Sequence, residues 1–392
     1  MTATAQHTLA RTASWLPIAA WAGLAGVAVL LVPSIRDEFA AEGVRWLYVL
    51  LFAFAATVAL TPVTIRLGYR WGLVDQPNER KIHHTPIPRA GGLAVYLGLV
   101  GSILVNFILE DWMVAILAAG SLLLIVGMLD DAWELPAWSK LVAQLAAAGL
   151  VMYSGKMLTL FPDTPWGDAA NALLTLVWIV GITNAFNFFD GMDGLATGLA
   201  MLIAFFMGAV AFDTNQPGLG WLAVAIIGAG LGFLPFNFRY RKQALVFLGD
   251  GGSTFLGFTL ACLAVKGNWA DNNPIVSFSN PLLIFGVLIY DMIHITAERI
   301  VTGKVASVKE WLEYVGKDHL HHRLERVLGS RQASVAMIWV LTICLGLAAI
   351  VLRKAGTVEA VMLLVQAALV LIMITILEHR GRSEEKPAAN SK

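Results

Sequence analysis

The sequence predicts an all-α protein that crosses a membrane about 11–12 times, with both termini on the cytoplasmic side. Three observations predict it. Hydrophobic residues make up 58% of the 392-residue chain and charged residues only 14%, where a soluble domain carries roughly a quarter; mean hydropathy is +0.71. The apolar residues gather into twelve stretches, most of them near the roughly 20 residues that span a ~30 Å hydrocarbon layer as a helix. Finally, 21 of the 27 lysines and arginines fall in loops on the side of the N-terminus, the bias that sets orientation.

Taken in order, Trp15–Val32 follows only one basic residue, Arg11, and precedes no small-residue cleavage pattern, so it reads as a span. Trp46–Ile65 and Gly91–Ile108 flank the polar loop "DQPNERKIHHTPIPRAGG". Trp112–Leu129 runs into "LDDAWELPAWSK", and Leu141–Tyr153 after it is short. Ala169–Phe186 ends in "NAFNFFDGMDG", before Leu195–Phe212 and Leu219–Phe236. "FNFRYRKQALVFLGDGGST" leads into Leu245–Val265, which places Asp250 about five residues inside an apolar run. Pro281–Ile295 precedes the longest polar loop, which contains "GKDHLHHRLERVLG"; Ser334–Leu352 and Val358–Leu377 complete the series. The expected organisation is an additional N-terminal span and outer loop (1–45), a transmembrane catalytic region (46–377) and a disordered cytoplasmic tail (378–392). Cys262 and Cys344 both sit in apolar runs, which argues against a disulfide framework.

All five polar strings fall on the cytoplasmic side, so they are expected to converge on one site at the membrane surface. Asp130, Asp131, Asp190, Asp193 and Asp250 are hard oxygen ligands, suited to Mg²⁺ or Mn²⁺ rather than zinc. Magnesium takes one or two carboxylates and completes its shell with water and phosphate oxygens. Arg80, Lys81, Arg323, His319, His321 and His322 supply counter-charge for phosphate. Asn184, Asn187, Asp190 and Asp193 recur every third residue, as if sharing one side of a helix end. Plainer readings stand beside these. Asp193 can be the N-cap of the following helix, "HHTP" and "PIPRAGG" a turn, and Arg239, Arg241 and Lys242 positive-inside anchors. "DHLHHR" lacks the further ligands that a zinc site needs.

The strings "PNERKIHHTPIPRAGGLAVY", "GMLDD", "NAFNFFDGMDGLATG", "VFLGDGGSTFLGF" and "DHLHHRL", in this order, resemble the polyprenyl-phosphate N-acetylhexosamine-1-phosphate transferase family. The resemblance runs from about Trp46 through the eleventh span. It implies a Mg²⁺-dependent membrane enzyme of the bacterial inner membrane, with its active site on the cytoplasmic face. Such an enzyme moves a sugar-1-phosphate from a UDP-sugar to undecaprenyl phosphate and releases UMP, initiating a cell-surface polysaccharide. The resemblance also implies residue roles. Asp250 matches the metal-binding aspartate, with Asp190 beside it, and Asp130 and Asp131 the pair handling the lipid phosphate and its proton. Asn184, Asn187 and Asp190, with Asp193, match the string lining the nucleotide and metal region. Phe247 matches an aromatic near the uracil and Asn237 a polar group near the metal. His319, His321, His322 and Arg323 match a histidine motif near the diphosphate.

A phosphate monoester dianion is already a nucleophile near neutral pH, its second pKa being about 6, which favours direct attack over a covalent aspartyl-phosphate route. "DHLHHRLE" resembles the N-acetylglucosamine-type initiators, so UDP-GlcNAc is the expected donor. The loop from Arg299 to Asp318 departs from theirs, which leaves other UDP-N-acetylhexosamines as alternatives. A secondary transporter or a non-catalytic lipid-binding scaffold are the rival classes; a transporter would place its carboxylates at the bilayer midplane. Nothing points to nucleic acid, and a homodimer is a common arrangement among such enzymes.

Overall fold

A computed structural model describes residues 14–77, 85–155, 157–269, 274–307, 310–311, 314, 316 and 318–384. The described residues are all-α apart from one two-residue strand pair, and the chain divides into two units, residues 1–267 and 268–392.

The first unit contains α1 (Leu16–Leu30), α2 (Pro33–Ala41), α3 (Arg45–Trp71), β1 (Val74–Asp75), β2 (Ile87–Pro88), α4 (Gly91–Val105), α5 (Asp111–Trp133), α6 (Ala137–Tyr153), α7 (Pro165–Phe188), α8 (Leu195–Asp213), α9 (Pro217–Asn237) and α10 (Gly249–Lys266). The second contains α11 (Pro274–Ile284), α12 (Gly286–Val301), α13 (Leu320–Leu328), α14 (Arg331–Leu352) and α15 (Thr357–Glu384).

Each of the twelve apolar stretches contains helix, but not every one is a full-length straight span. Seven helices among the described residues are long and apolar enough to cross a membrane. Two further pairs, α1 with α2 and α11 with α12, pass the same test together but bend by 70° and 77° at Pro33 and around Phe285. α4, α6 and α10 are the shorter or more polar remainder. α15 runs past Leu377 to Glu384, and Glu378 is buried within it against Arg323. A carboxylate with a guanidinium partner can extend an apolar helix that a lone one would end.

Helix starts follow local chemistry. Thr164 caps α7 by accepting from Gly167 N at 3.1 Å, with Pro165 at the first helical position. Ser330 caps α14 in the same way. α3 stops at Gly72, whose φ of 73° is left-handed.

The packing that matters for function surrounds α10. This helix has no polar stripe and is buried continuously from Gly251 to Val265, against α4, α5, α7 and α8. Its first turn comes unusually close to two neighbours. A Cβ on Gly92 of α4 would lie 2.2 Å from Gly252 Cα, and one on Gly127 of α5 would lie 2.4 Å from Gly251 Cα. Small residues facing small residues let backbones meet where side chains would hold them apart. The consequence is that the ends of α5 and α7 and the start of α10 share one small volume.

The sequence placed Asp250 about five residues into an apolar stretch. In the structure α10 begins only at Gly249, which has φ of 78°, and Asp250 lies in its first turn. Residues 245–248 instead run as a backbone-bonded segment: Leu245 N donates to Phe236 O, Phe247 N to Pro88 O at 2.8 Å, and Gly91 and Gly92 N to Phe247 and Leu248 O. A carboxylate at a helix N-terminus is favourably placed against the helix dipole.

Candidate active site

Three carboxylates and two cations interlock at the start of α10. Asp131, its side chain almost wholly buried, accepts the Asp250 backbone N–H at 2.9 Å and thus caps α10 from the end of α5. Arg89, just after β2, lies 3.5 Å from Asp131 and also pairs with Asp75 of β1. The antiparallel register, Val74 opposite Pro88 and Asp75 opposite Ile87, places these two side by side.

Asp130 is held differently. Its Oδ1 accepts from Leu135 N at 2.7 Å, across a turn in which Glu134 is left-handed. That turn sends α6 back toward α5, so Lys140 returns to Asp130 Oδ2 at 2.7 Å and stands 3.7 Å from Asp250 Oδ2. On the other side, Asn187 of α7 donates to Asp250 Oδ1 at 3.3 Å and to Ser253 Oγ at 2.9 Å. Asp250 is therefore approached by a helix start, an amide and an ammonium while keeping 39% of its side chain exposed.

Asp190 sits in the turn after α7. Burial, followed by the neighbouring Asp250, Asp131 and Asp193 carboxylates, pushes its carboxyl well above the usual carboxylate range.

The triplet spacing resolves into separate jobs. Three residues of α-helix turn by about 300°, so Asn184 and Asn187 are offset around α7. Asn184 exchanges hydrogen bonds with Gln144 of α6, at 2.6 and 3.2 Å, while Asn187 reaches α10. Beyond Phe188 the helix has ended, and Asp190 and Asp193 lie on a turn. Asp193 does not cap α8: Gly194 occupies the cap position with φ of 78°, and Asp193 accepts from Ala244 N at 3.2 Å instead. Asn237 is buried with both ends of its amide engaged, accepting from Gly194 N at 2.8 Å and donating to Val246 O at 3.1 Å. It joins the α8 start to the segment before α10. Phe247 is half-buried, its backbone bonded on both sides to the residues that open α4. Lys81 and Arg80 lie outside the described residues.

The histidine motif belongs to the second unit and forms its own constellation. Asp291 of α12, fully buried, accepts from Leu320 N at 2.7 Å, from Arg323 at 3.3 Å, and pairs with His319 Nδ1 at 2.8 Å. Arg323 also faces Glu378 at 3.4 Å. Arg299 grips Asp318 through two hydrogen bonds of 2.8 Å and covers the Tyr314 ring. The rings of His319, His321 and His322 lie 5.9 and 4.2 Å apart in succession. Burial, then the neighbouring His322, His319, Arg331 and Arg323, hold His321 well below the usual imidazole range. The Arg299 fork holds the Asp318 carboxyl below its own ordinary value, despite burial that acts the other way.

Sequence reasoning missed Lys140, counted there only for orientation, and Arg89, quoted but given no role. It also missed Asp291, whose signal was visible: an ionisable residue inside an apolar stretch calls for a partner.

Among the described residues no three carboxylate, imidazole or thiol groups are gathered tightly enough to hold an ion unaided. The donors that do meet are oxygens on a glycine-lined helix start. This defines a class: a multi-pass membrane protein with a carboxylate-rich cluster at the start of one of its helices. Comparison with known proteins narrows it. The family model described as glycosyl transferase family 4 matches residues 113–268. A probable undecaprenyl-phosphate N-acetylglucosaminyl 1-phosphate transferase of Bacillus subtilis is 33% identical over 319 residues, covering 80% of this chain and 86% of that protein. A decaprenyl-phosphate N-acetylglucosaminephosphotransferase of Mycobacterium tuberculosis is 32% identical, covering 76% and 80%. The undecaprenyl-phosphate alpha-N-acetylglucosaminyl 1-phosphate transferase of Escherichia coli K12 is 29% identical, covering 74% and 77%. The chain belongs to this family, the polyprenyl-phosphate N-acetylhexosamine-1-phosphate transferases.

Proposed function

We propose that the protein transfers N-acetylglucosamine-1-phosphate from UDP-GlcNAc to undecaprenyl phosphate, releasing UMP and starting a cell-surface polysaccharide. The names of the relatives support the reaction and the polyprenyl acceptor. The observation that carries the reading is the cluster itself: Asp250 at the glycine-rich start of α10, in contact with Asn187 and Lys140 and capped by Asp131. The skew of 21 among 27 basic residues supports a cytoplasmic active site in a bacterial inner membrane.

A divalent cation fits this donor set. Asp250 keeps an exposed carboxylate, and Asp190 is crowded by three others in a way that an added positive charge relieves. Asp250 and Asp190 would hold Mg²⁺, or Mn²⁺ in its place, and the ion would neutralise diphosphate oxygens as charge spreads over the transferring group. Asn187 orients Asp250. Arg89 and Asp131 keep the start of α10 in register, leaving Asp130, paired with Lys140, as the group that takes any residual proton from the lipid phosphate. Phe247 offers a half-buried ring for the base; His319, His321, His322 and Arg323 enter through the family resemblance as further contacts to phosphate, and Lys81 as a counter-charge for it.

The test is UMP release by purified protein given undecaprenyl phosphate and a panel of UDP-sugars. UMP from UDP-GlcNAc, abolished by EDTA and restored by Mg²⁺, is the expected result. No UMP from any UDP-N-acetylhexosamine overturns the proposal, and UMP only from a different hexosamine reassigns the donor.

A further inference from the structure

We propose that Lys140 is the resident counter-cation of the acidic cluster, neutralising Asp250 in the ion-free protein and competing with the divalent metal for that carboxylate. The inference rests on the reading that Asp250 is a metal ligand.

Lys140 makes two unequal contacts. The short one, 2.7 Å, is to Asp130, whose side chain is only 8% exposed and is fixed by Leu135 N–H. The long one, 3.7 Å, is to Asp250, whose side chain is 39% exposed. The two oxygens of Asp250 thus face different partners, Oδ1 the Asn187 amide and Oδ2 the ammonium. One of these is neutral and can stay beside a cation; the other repels it. Lysine suits this task because its charge is compact and ends a flexible four-carbon stem, so it can pivot about Asp130 and leave Asp250 without losing its anchor. At 36% exposure the ammonium has solvent into which to turn. Arg89 already serves Asp75 and Asp131, so Lys140 is the ammonium that faces both Asp130 and Asp250. Lys140 therefore acts as a positioning residue, setting both the integrity of the empty cluster and the affinity of the filled one.

A residue that merely braced α5 against α6 would behave differently. Its loss would loosen the cluster and weaken metal binding. Loss of a competing charge strengthens binding and makes the protein depend on the ion.

The experiment compares wild type, Lys140→Met, Lys140→Arg and Asp250→Asn, purified in detergent without sugar or lipid. Mn²⁺ binding is followed by electron paramagnetic resonance, and thermal unfolding is recorded with and without saturating Mn²⁺. Lys140→Met is expected to bind Mn²⁺ about tenfold more tightly, the effect of removing one charge a few ångströms away at a partly solvated site. Its unfolding temperature falls without metal and recovers with it, a larger metal-induced rise than in wild type. Lys140→Arg, which keeps the charge, stays near wild type. Unchanged or weaker Mn²⁺ binding by Lys140→Met, or an equal metal-induced rise in both proteins, overturns the inference. If wild type binds Mn²⁺, Asp250→Asn does not and Lys140→Met is unaltered, only this inference fails. If wild type and Asp250→Asn bind alike, the metal reading of Asp250 fails with it.

Discussion

Two charged clusters lie in this chain, one in each unit, and they are built on opposite principles. In the first, Asp75, Asp130, Asp131 and Asp250 share two cations, Arg89 and Lys140, and Asp250 is left partly open to solvent. In the second, Asp291, Asp318 and Glu378 meet Arg323, Arg299 and His319 almost one for one, and nearly all are buried. A balanced buried network fixes helices against one another and is costly to break at any single member. An unbalanced, partly open one is incomplete without a ligand of opposite charge. Charge balance and burial, more than the number of charged residues, distinguish the two clusters.

The largest effect that sharpens this contrast is on activity. Asp250→Asn is expected to lower UMP release on the order of 10²–10³-fold or more, while the unfolding temperature without metal stays level or rises, because a like-charge repulsion has been removed. A large fall in stability would put Asp250 with the holding cluster. Asp291→Asn is the mirror experiment. It leaves the buried Arg323 short of a counter-charge and His319 without its carboxylate partner, at a cost of about 3–5 kcal/mol, read as lost monodisperse protein or a lower unfolding temperature. Loss of activity at wild-type stability would break the comparison.

Gly127→Ala tests the close approach beneath the first cluster. The new Cβ would meet the Gly251 backbone at 2.4 Å, and backbone cannot swing aside as a side chain can. Overpacking of this kind costs typically about 1–3 kcal/mol, and the displaced α10 start should reduce turnover more than stability. The smallest effect is on pH dependence. His321 is held uncharged below its ordinary value of 6.5 by burial and neighbouring cations. Its folded-state pKa is depressed, so below pH 6.5 the unfolded chain binds a proton that the folded unit refuses. Stability from this group is complete above pH 6.5 and falls toward the depressed value, by up to about 1.4 kcal/mol per pH unit. Hydrogen exchange of α13 between pH 7 and 5.5 measures it, and His321→Gln should flatten the dependence.

The helical, multi-pass character was legible because it depends on local quantities: runs of apolar residues of membrane-spanning length, closed by polar turns. The family was legible because five short strings keep their order. Individual assignments fared less evenly. Asn187 and Asp250 meet as their motifs suggested, whereas Asn184 is taken by Gln144 and Asp193 by the Ala244 backbone. A spacing of three marks neighbouring faces of a helix without naming what stands opposite each. The bends at Pro33 and Phe285 were hidden because hydropathy is blind to direction. Lys140 was hidden because its partners lie ten residues back and 110 ahead.

Taken alone, the sequence determined the solvent this protein folds in, its helices and the family to which it belongs, since each follows from residues close together along the chain. Which carboxylates stay open and which are spent on structure was decided only by tertiary packing. Gly92 and Gly127 bring three backbones into contact at the start of α10, and the charge balance of a site is a sum over side chains that only such contacts assemble.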